Sequence, residues 1–265
     1  MQKPLAWATD IHLDHCDANV IAEFATQIRA TGAQVLCLTG DLAESQNLVD
    51  YLHSLAEMIQ MPIYFVLGNH DYYHGSIASV RKTLADLQIP ALHWLPHTGP
   101  VELGAKVCLI GHDGWSDGQH GDFSRSTIRL KDYRLIEELA QAGQAGLLAQ
   151  LQALGAESAA WFRARLPEVL AHYQQVYLLM HPPPFREACL YGTEIADDNW
   201  APHFICKAVG DLLLELMPQF PQTQLTVLAG HTHNPCDIQI LANLRVQVGK
   251  AEYGAPALAG LFDIF

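Results

Sequence analysis

Acidic, amide and imidazole side chains recur at five places in the sequence, and each place directly follows a short apolar run. Carboxylate oxygens, amide oxygens and imidazole nitrogens together suit Mn, Fe or Zn better than Mg or Ca, which prefer all-oxygen shells. Two such ions about 3.5–4 Å apart can hold a bridging hydroxide as nucleophile and clamp phosphate oxygens. The set therefore predicts a dinuclear metal centre that can activate water and bind phosphate oxygens. The five segments are Asp10-Ile-His12, Gly40-Asp41, Gly68-Asn69-His70-Asp71, His181 and Gly230-His231-Thr-His233.

The spacing within these segments favours shared ligation. In an extended segment, residues two apart point to the same side, so Asp10 and His12 are expected to reach the same ion. His231 and His233 either share one ion or divide between neighbouring ions. Asp41 has two carboxylate oxygens and can bridge both ions. The glycines that precede three of the segments are expected to let the backbone turn sharply. DxH, GD and a single histidine are weak signals alone, and GNHD and GHTH are more specific, whereas all five in this order are a strong signal.

The elements that would position these residues follow from hydrophobic periodicity. Short buried strands alternate with amphipathic helices in the first third of the chain, which indicates α/β layering with the polar residues at the carboxyl ends of the strands. The second half is richer in strands and contains a helical insert. The predicted strands are 5–9, 35–39, 63–67, 101–103, 106–110, 176–180, 225–229, 237–241, 244–248 and 258–264. The predicted helices are 18–30, 47–60, 76–87, two between 131 and 173, and 204–217.

The ordered motifs DxH, GD, GNHD, H and GHTH resemble the pattern of the calcineurin-like metallophosphoesterase superfamily, and the resemblance spans residues 10–233. It implies a four-layer α-β-β-α sandwich of the α/β class (α+β by some schemes). We expect a single domain over residues 1–265, with an insertion at about 112–173. The resemblance implies that the first ion is held by Asp10, His12, Asp41 and His233, and the second by Asp41, Asn69, His181 and His231.

The resemblance also assigns catalytic roles. His70 would be the general acid near the leaving group, with Asp71 orienting its ring, and Asn69 would contact the phosphate through its ion. Histidine suits proton transfer near neutral pH, and a carboxylate can fix its tautomer.

Departures from the family pattern narrow the subgroup. The segment GDLAES lacks the arginine of the Ser/Thr protein phosphatases, and Glu44 stands where purple acid phosphatases carry tyrosine. The motifs are more similar to those of small bacterial phosphodiesterases, although Met180 stands where the cyclic-nucleotide group often has histidine. The leading hypothesis is a phosphodiesterase acting on a small or nucleotide-like substrate. A phosphomonoesterase (including a protein phosphatase) and, from another class, a catalytically inactive interaction scaffold are the alternatives.

Candidate substrate residues lie in an unusual stretch, 112–134. It places His112 and Trp115 near Arg125 and Arg129, and aromatic and guanidinium groups together can recognise a base and a phosphate. The alternative is a solvated loop whose charges flank a helix.

Charge and composition limit the classes of partner that the protein is expected to have. A formal net charge of −13 makes nucleic acid an unlikely partner, because phosphate contacts need Lys and Arg. The first residues lack the apolar run of a signal peptide, and no run reaches about 18 apolar residues, so we expect a cytoplasmic protein without membrane contact. Apolar rows within 147–170 are interpreted as core, with a homodimer surface as the alternative.

Overall fold

The structure, a computed structural model, describes residues 3–264. Apolar residues at helical spacing place one face of each helix against a sheet. In the first helix, for example, the buried residues are Ile21, Phe24, Ala25 and Ile28, and Asp17 caps the helix by accepting from the backbone N–H groups of residues 19 and 20. The helices are α1 (Ala18–Ala30), α2 (Leu48–Ile59), α3 (Ile77–Ala85), α4 (Leu95–Thr98), α5 (Asp132–Leu135), α6 (Glu137–His172) and α7 (Lys207–Leu216).

The strands form two large sheets and one small hairpin. The strands are β1 (Lys3–Ala8), β2 (Val35–Thr39), β3 (Ile63–Val66), β4 (Leu92–Trp94), β5 (Val101–Gly104), β6 (Val107–Gly111), β7 (Gln175–Leu179), β8 (Leu190–Tyr191), β9 (Glu194–Ile195), β10 (Gln224–Ala229), β11 (Cys236–Leu241), β12 (Leu244–Val248) and β13 (Leu258–Ile264). The first sheet has the order β13-β1-β2-β3-β4, the second β11-β12-β10-β7-β6-β5, and β8 pairs with β9. Within the two large sheets, as described over residues 3–264, the antiparallel pairs are the edge pairs β13–β1, β11–β12 and β5–β6, and the remaining pairs are parallel.

The two large sheets pack face to face, with helices on their outer faces. In β1, Leu5 and Trp7 point into the core between the sheets, where they join Leu179 and Leu228 of the second sheet. The alternate residues of β1 point outward, into the core beneath α1–α3. The outer face of the second sheet packs against α7 and the second half of α6. This arrangement confirms the predicted four-layer α-β-β-α sandwich.

The apolar rows of 147–170 are core. They lie on α6, which extends over 36 residues and is interrupted at Gly143, where the backbone leaves the helical region (φ 59°, ψ −179°). Leu147, Leu151 and Leu154 join the core that includes α1–α3, whereas Leu166 and Leu170 join the core of the second sheet. The buried residues of these rows therefore belong to the core, as the sequence predicted. Among residues 3–264, no helix combines the length and apolar character needed to cross a bilayer.

Candidate metal centre

The five polar segments meet at one end of the sandwich. They follow β1, β2 and β3 of the first sheet and β7 and β10 of the second, and neighbouring strands of this set are parallel within each sheet. Backbone hydrogen bonds join the segments to one another: Asp10 N–H donates to Gly40 O (3.0 Å), and Gly230 N–H donates to His181 O (2.8 Å). Parallel strands that end together therefore bring residues more than 200 positions apart into one site.

A first group of potential ligands consists of Asp10, His12, Asp41 and His233, whose donor atoms all lie within 4.8 Å of one another. His12 Nε2 lies 3.3 Å from His233 Nε2 and 3.9 Å from Asp41 Oδ2. His233 Nε2 lies 3.3 Å from Asp10 Oδ1. Burial lowers the pKa of His12 to about 4, despite the opposing effect of Asp41, so its ring is neutral near pH 7. A neutral imidazole between two carboxylates fits a divalent cation.

The second group consists of Asp41, His181 and His231. Asp41 belongs to both groups, because its two oxygens face different histidines: Oδ1 lies 3.3 Å from His181 Nε2, and Oδ2 faces His12. Asn69 joins this group through Oδ1, which lies 3.1 Å from His181 Nε2. All seven predicted ligands therefore lie together, and Asp41 lies between the two groups.

The second group fits a metal, as shown by the hydrogen bonds that His181 and His231 make through the ring nitrogen that points away from the site. His181 Nδ1 lies 2.8 Å from Thr39 O, and His231 Nε2 lies 3.0 Å from His203 O. Because a carbonyl oxygen only accepts, these nitrogens carry protons, which leaves the other nitrogen of each ring as the one that can bind a metal. Metal-bound histidines ordinarily have this arrangement.

The electrostatics of His181 support the same fit. Its Nε2 faces two oxygens, from Asp41 and Asn69, that offer only lone pairs. Burial lowers the pKa of His181, but Asp41, Asp10 and the hydrogen bond to Thr39 O together outweigh burial and raise the pKa to about 10. Without a metal, the ring therefore takes a second proton between these oxygens. A divalent cation supplies the positive charge that this cluster of lone pairs requires.

Backbone strain is concentrated at these residues. Seven described residues other than glycine have a positive φ, and five of them are predicted ligands. An L-residue in the left-handed region costs about 1–3 kcal/mol, and such residues cluster at functional sites. The expectation that Asp10 and His12 lie in an extended segment is therefore wrong, as their φ values are 48° and 38°. The five ligands are Asp10 (φ 48°), His12 (φ 38°), Asp41 (φ 52°), His231 (φ 70°) and His233 (φ 57°).

The glycines that precede Asp41, Asn69 and His231 mainly provide space for neighbouring atoms of the site. A Cβ at Gly40 would lie 2.6 Å from both Gly68 N and His181 Nδ1, and Gly40 also has φ 89°. A Cβ at Gly68 would overlap Asp41 Oδ1, and a Cβ at Gly230 would overlap the Asp10 carboxylate. Of the three, only Gly40 has a positive φ. The sharp turn expected at each glycine is thus found at Gly40 alone, and the other two permit close approach of a carboxylate.

The ring of His70 lies beside the two groups and opens onto a cleft. Its Nε2 is 3.9 Å from Asp41 Oδ2, its ring stacks on Tyr73 at 4.3 Å between centroids, and its backbone N–H donates to Asp41 Oδ1 (2.9 Å). The hydroxyl of Tyr253 lies 3.5 Å from the same Nε2. His70 is thus next to both metal-ligand groups without belonging to either.

Asp71 does not orient His70, and the prediction that it does is wrong. Its carboxylate is fully buried and accepts from three backbone N–H groups, those of Leu42 (2.8 Å), Ala43 (3.0 Å) and Gly68 (2.7 Å). Burial and the neighbouring Asp41 raise the pKa of Asp71, and the three donors oppose that rise. Asp71 therefore joins the segment after β2 to the segment after β3.

Asp132, which the sequence analysis did not select, holds Asn69 in place. Its buried Oδ1 accepts from Asn69 Nδ2 (2.9 Å) and from the hydroxyl of Tyr73 (2.6 Å). With its amide nitrogen engaged in this way, Asn69 presents its oxygen to His181. Asp132 begins α5, about 60 residues from Asn69 along the chain. The sequence contains no spacing signal that links the two.

A cleft of about 340 Å³ lies over both ligand groups. Beyond the predicted residues, its walls include several side chains that the sequence analysis did not select as candidates. Lys131 provides a positive charge near the site, and the ring of Tyr253 packs 4.3 Å from His12 and 5.2 Å from His233. The additional lining residues are Tyr73, Leu130, Lys131, Asp132, Phe204, Thr232 and Tyr253.

Comparison with known proteins gives the family. The model of the calcineurin-like phosphoesterase family (Metallophos) matches residues 3–235. The chain belongs to this family. The superfamily resemblance inferred from its motifs is confirmed. A Caenorhabditis elegans protein named "Putative metallophosphoesterase F40B5.2" is 30% identical over 115 residues, which cover 41% of this chain and 23% of that protein. The aligned part is thus under a quarter of that relative's length.

Solved structures share the calcineurin-like fold at low sequence identity. The phosphopantetheinyl hydrolase of Mycobacterium tuberculosis has a TM-score of 0.65 at 14% identity, with 95% of this chain and 90% of that chain covered. A dimetal phosphatase of Danio rerio has a TM-score of 0.61 at 13% identity, covering 96% and 88%. TT1561 of Thermus thermophilus has a TM-score of 0.55 at 13% identity, covering 94% and 90%. These similarities show the fold.

The predicted substrate residues of this phosphoesterase do not line the cleft. His112 is buried against the rings of Trp161 and Phe162, and its Nδ1 accepts from Gly114 N–H (3.3 Å). Trp115 is also buried, and its ring packs against Tyr72 at 5.7 Å. Neither residue lines the cleft, because both follow β6 and turn inward against apolar side chains. Trp115 borders a smaller cavity of about 20 Å³ beside Asn69, His181 and His231.

The two predicted arginines are also misassigned. Arg125 is exposed and pairs with Asp122 (3.6 Å) within its own loop. Arg129 is exposed too, and its guanidinium donates to the carbonyls of Ser126 (2.9 Å) and Ile128 (2.7 Å). Their guanidinium groups fix the conformation of the loop. The positive charge in the cleft instead comes from Lys131, two residues further on.

Proposed function

We propose that this phosphoesterase is a phosphodiesterase that acts on a small or nucleotide-like substrate. The observation that carries the proposal is the cleft of about 340 Å³ above the two ligand groups. Its volume is within the range of small-molecule sites, and it has room for organic groups beside the phosphate. A phosphomonoesterase would use the same ligands and is the second candidate.

The residue roles are part of the proposal. Asp10, His12, Asp41 and His233 would hold one divalent ion, and Asp41, Asn69, His181 and His231 the other. When bound, two such ions supply Lewis-acid activation of water and neutralise phosphate charge. Mn, Fe and Zn suit this mixed set of donors.

His70 would donate a proton to the leaving oxygen. Its Nε2 lies next to both ligand groups and faces the cleft, where the Tyr253 hydroxyl is its neighbour at 3.5 Å. Stacking on Tyr73 and the bond from its backbone N–H to Asp41 fix the ring, the role once expected of Asp71. Lys131 would attract the anionic substrate into the cleft.

The domain organisation completes the proposal: residues 1–265 would be one calcineurin-like domain, in which 112–173 is an insertion between β6 and β7. The family match over residues 3–235 and the core shared by the two sheets support this view. The insertion would contribute Lys131 and Asp132 to the cleft.

The test compares hydrolysis of bis-p-nitrophenyl phosphate and p-nitrophenyl phosphate by the protein with added Mn. We expect faster turnover of the diester, lost in Asp41→Asn and reduced about 100-fold or more in His70→Ala. Matched controls are Asp50→Asn and His53→Ala, both exposed on α2 and expected to retain full activity. Turnover of the monoester alone would favour the phosphomonoesterase, and full activity of His70→Ala would contradict its proposed role.

A further inference from the structure

A second, apolar pocket of about 110 Å³ adjoins the metal cleft. It lies beneath the β8–β9 hairpin, and Phe204 and Thr232 line both the pocket and the cleft. A molecule bound in the cleft can therefore extend into the pocket along a shared wall.

Aromatic rings form a continuous surface from the metal ligands into this pocket. The ring of His231 lies 4.7 Å from that of Phe204, and Phe204 lies 5.8 Å from Trp200. Trp200 stacks on Tyr191 at 4.9 Å with an interplanar angle of 20°. Tyr191 remains 61% exposed, although a large aromatic ring on a surface gains by being covered.

The side chains of Thr232 and Asn234 in this pocket already have hydrogen-bond partners. The hydroxyl of Thr232 donates to Asn234 O (3.2 Å), and Asn234 Nδ2 donates to Thr232 O (2.6 Å). Asn234 Oδ1 accepts from Gly192 N–H (3.1 Å) in the hairpin turn. In the described part of the chain, no lining residue of this pocket carries a charge. A polar occupant would lose its bonds to water and gain few in return, whereas an apolar one would not.

The pocket is formed before any ligand arrives. The bond from Gly192 to Asn234 joins the hairpin to the segment that carries His231 and His233. On the other side, Arg186 donates to Ala196 O (3.0 Å) and pairs with Asp198 (2.7 Å). A wall held at both ends loses little conformational entropy on binding, which favours affinity.

We propose that this pocket binds an aromatic ring carried by the organic group of the substrate, while the phosphate lies over the metal ligands. The inference rests on the proposed function for the position of the phosphate. It narrows the substrate class to phosphate esters of aromatic or base-containing groups, and it assigns specificity to Tyr191, Trp200 and Phe204.

The experiment measures binding of phosphonates, whose carbon–phosphorus bond is not an ester and is not hydrolysed. Calorimetry compares 2-phenylethylphosphonate with ethylphosphonate on the Mn-loaded protein. We expect the phenyl compound to bind about tenfold more tightly, since ring contacts add to the burial of apolar area. In Tyr191→Ala and Trp200→Leu the two phosphonates should bind with about equal affinity. Tyr191→Phe should retain the preference for the phenyl compound. Ile195→Ala is the matched control, because this residue lies on the same hairpin, is 52% exposed and does not line the pocket.

The outcomes separate this inference from the proposed function. Equal affinity for the two phosphonates, or a preference that survives both substitutions, would overturn the aromatic pocket and leave phosphate binding intact. A tenfold preference in a protein that hydrolyses no phosphate ester would retain the pocket and overturn the proposed function. Binding of neither phosphonate would overturn both.

Discussion

Replacing Asp71 by asparagine is expected to destabilise the fold strongly. The Asp71 carboxylate accepts N–H groups from Leu42, Ala43 and Gly68, at 2.7–3.0 Å. These bonds join the segment that carries Asp41 to the segment that carries Asn69. The substitution therefore weakens the connection between two segments that carry metal ligands.

The magnitude follows from the number of acceptors. Asparagine has the shape of aspartate but only one acceptor oxygen. If that oxygen replaces Oδ1, the NH₂ group faces the Gly68 N–H, and two donors oppose each other. One hydrogen bond to a charged group, worth about 1.5–3 kcal/mol, is lost, and a buried N–H is left without an acceptor. The neutral amide also relieves the burial cost that raises the pKa of Asp71, so we expect Asp71→Asn to lower the free energy of unfolding by about 2 kcal/mol.

Urea denaturation of the metal-free protein at pH 7 is the appropriate assay, because bound metal would add its own stabilisation. The control is Asp211→Asn, which removes an exposed carboxylate on α7 that pairs with Lys207 (2.5 Å). This surface change should stay within about 0.5 kcal/mol of the native protein.

One outcome would refute the structural role assigned to Asp71. If Asp71→Asn is as stable as the native protein but hydrolyses the diester more slowly with a shifted pH profile, then Asp71 acts on His70 after all. Our interpretation of its three backbone bonds would then be wrong.

Two further predictions concern buried polar groups outside the ligand set. Asp132→Leu removes the acceptor of Asn69 Nδ2 and of the Tyr73 hydroxyl, so calorimetry should show Mn affinity about 10–100-fold lower. Burial lowers the pKa of His112 from 6.5 to about 4, so between these pH values the unfolded state binds a proton that the native state does not. The contribution of His112 to stability should therefore fall by up to about 3 kcal/mol as pH drops through this window and stay constant above it. His112→Asn, whose oxygen can still accept from Gly114, should flatten that slope.

The Asp132 prediction and the His112 prediction each have a control. Asp132→Asn retains an oxygen at the position of Oδ1, where both bonds converge, and should bind Mn more tightly than Asp132→Leu does. Native Mn affinity in Asp132→Leu would show that Asn69 needs no positioning partner. For the pH dependence, His53→Asn alters an exposed ring on α2 and should leave the slope unchanged. A slope that is the same in His112→Asn and the native protein would contradict the assignment.

Much of the architecture was predictable from the chain itself. The apolar patterns that predicted helix 18–30 and strand 35–39 gave the bounds found in α1 and β2. In α1 the apolar residues recur at helical spacing and are buried on one face, whereas β2 is a short continuous run of which every residue is buried. Three-residue β4 and the two-residue strands of the β8–β9 hairpin carry too few residues to show a period, and they were not predicted.

The motifs also identified which residues meet. Asp10, Asp41 and His231 are far apart in sequence, yet each ends a strand, and strands that run parallel end at the same edge. The type of residue and its place after a strand were sufficient to predict the seven candidate ligands. They were insufficient to predict the left-handed backbone that several of those ligands adopt.

The tertiary structure alone decided what surrounds the ligands. Asp71, next to His70 in sequence, directs its carboxylate to backbone amides, while Asp132 and Tyr253 reach the site from distant segments. His112 has the residue type expected of a cleft and lies in the core. The sequence by itself thus determined the chemistry, through residue types that bind metals at the ends of strands. The groups that position the ligands and line the cleft are brought there by contacts between residues about 60 to 180 positions apart. A local sequence pattern cannot indicate such contacts.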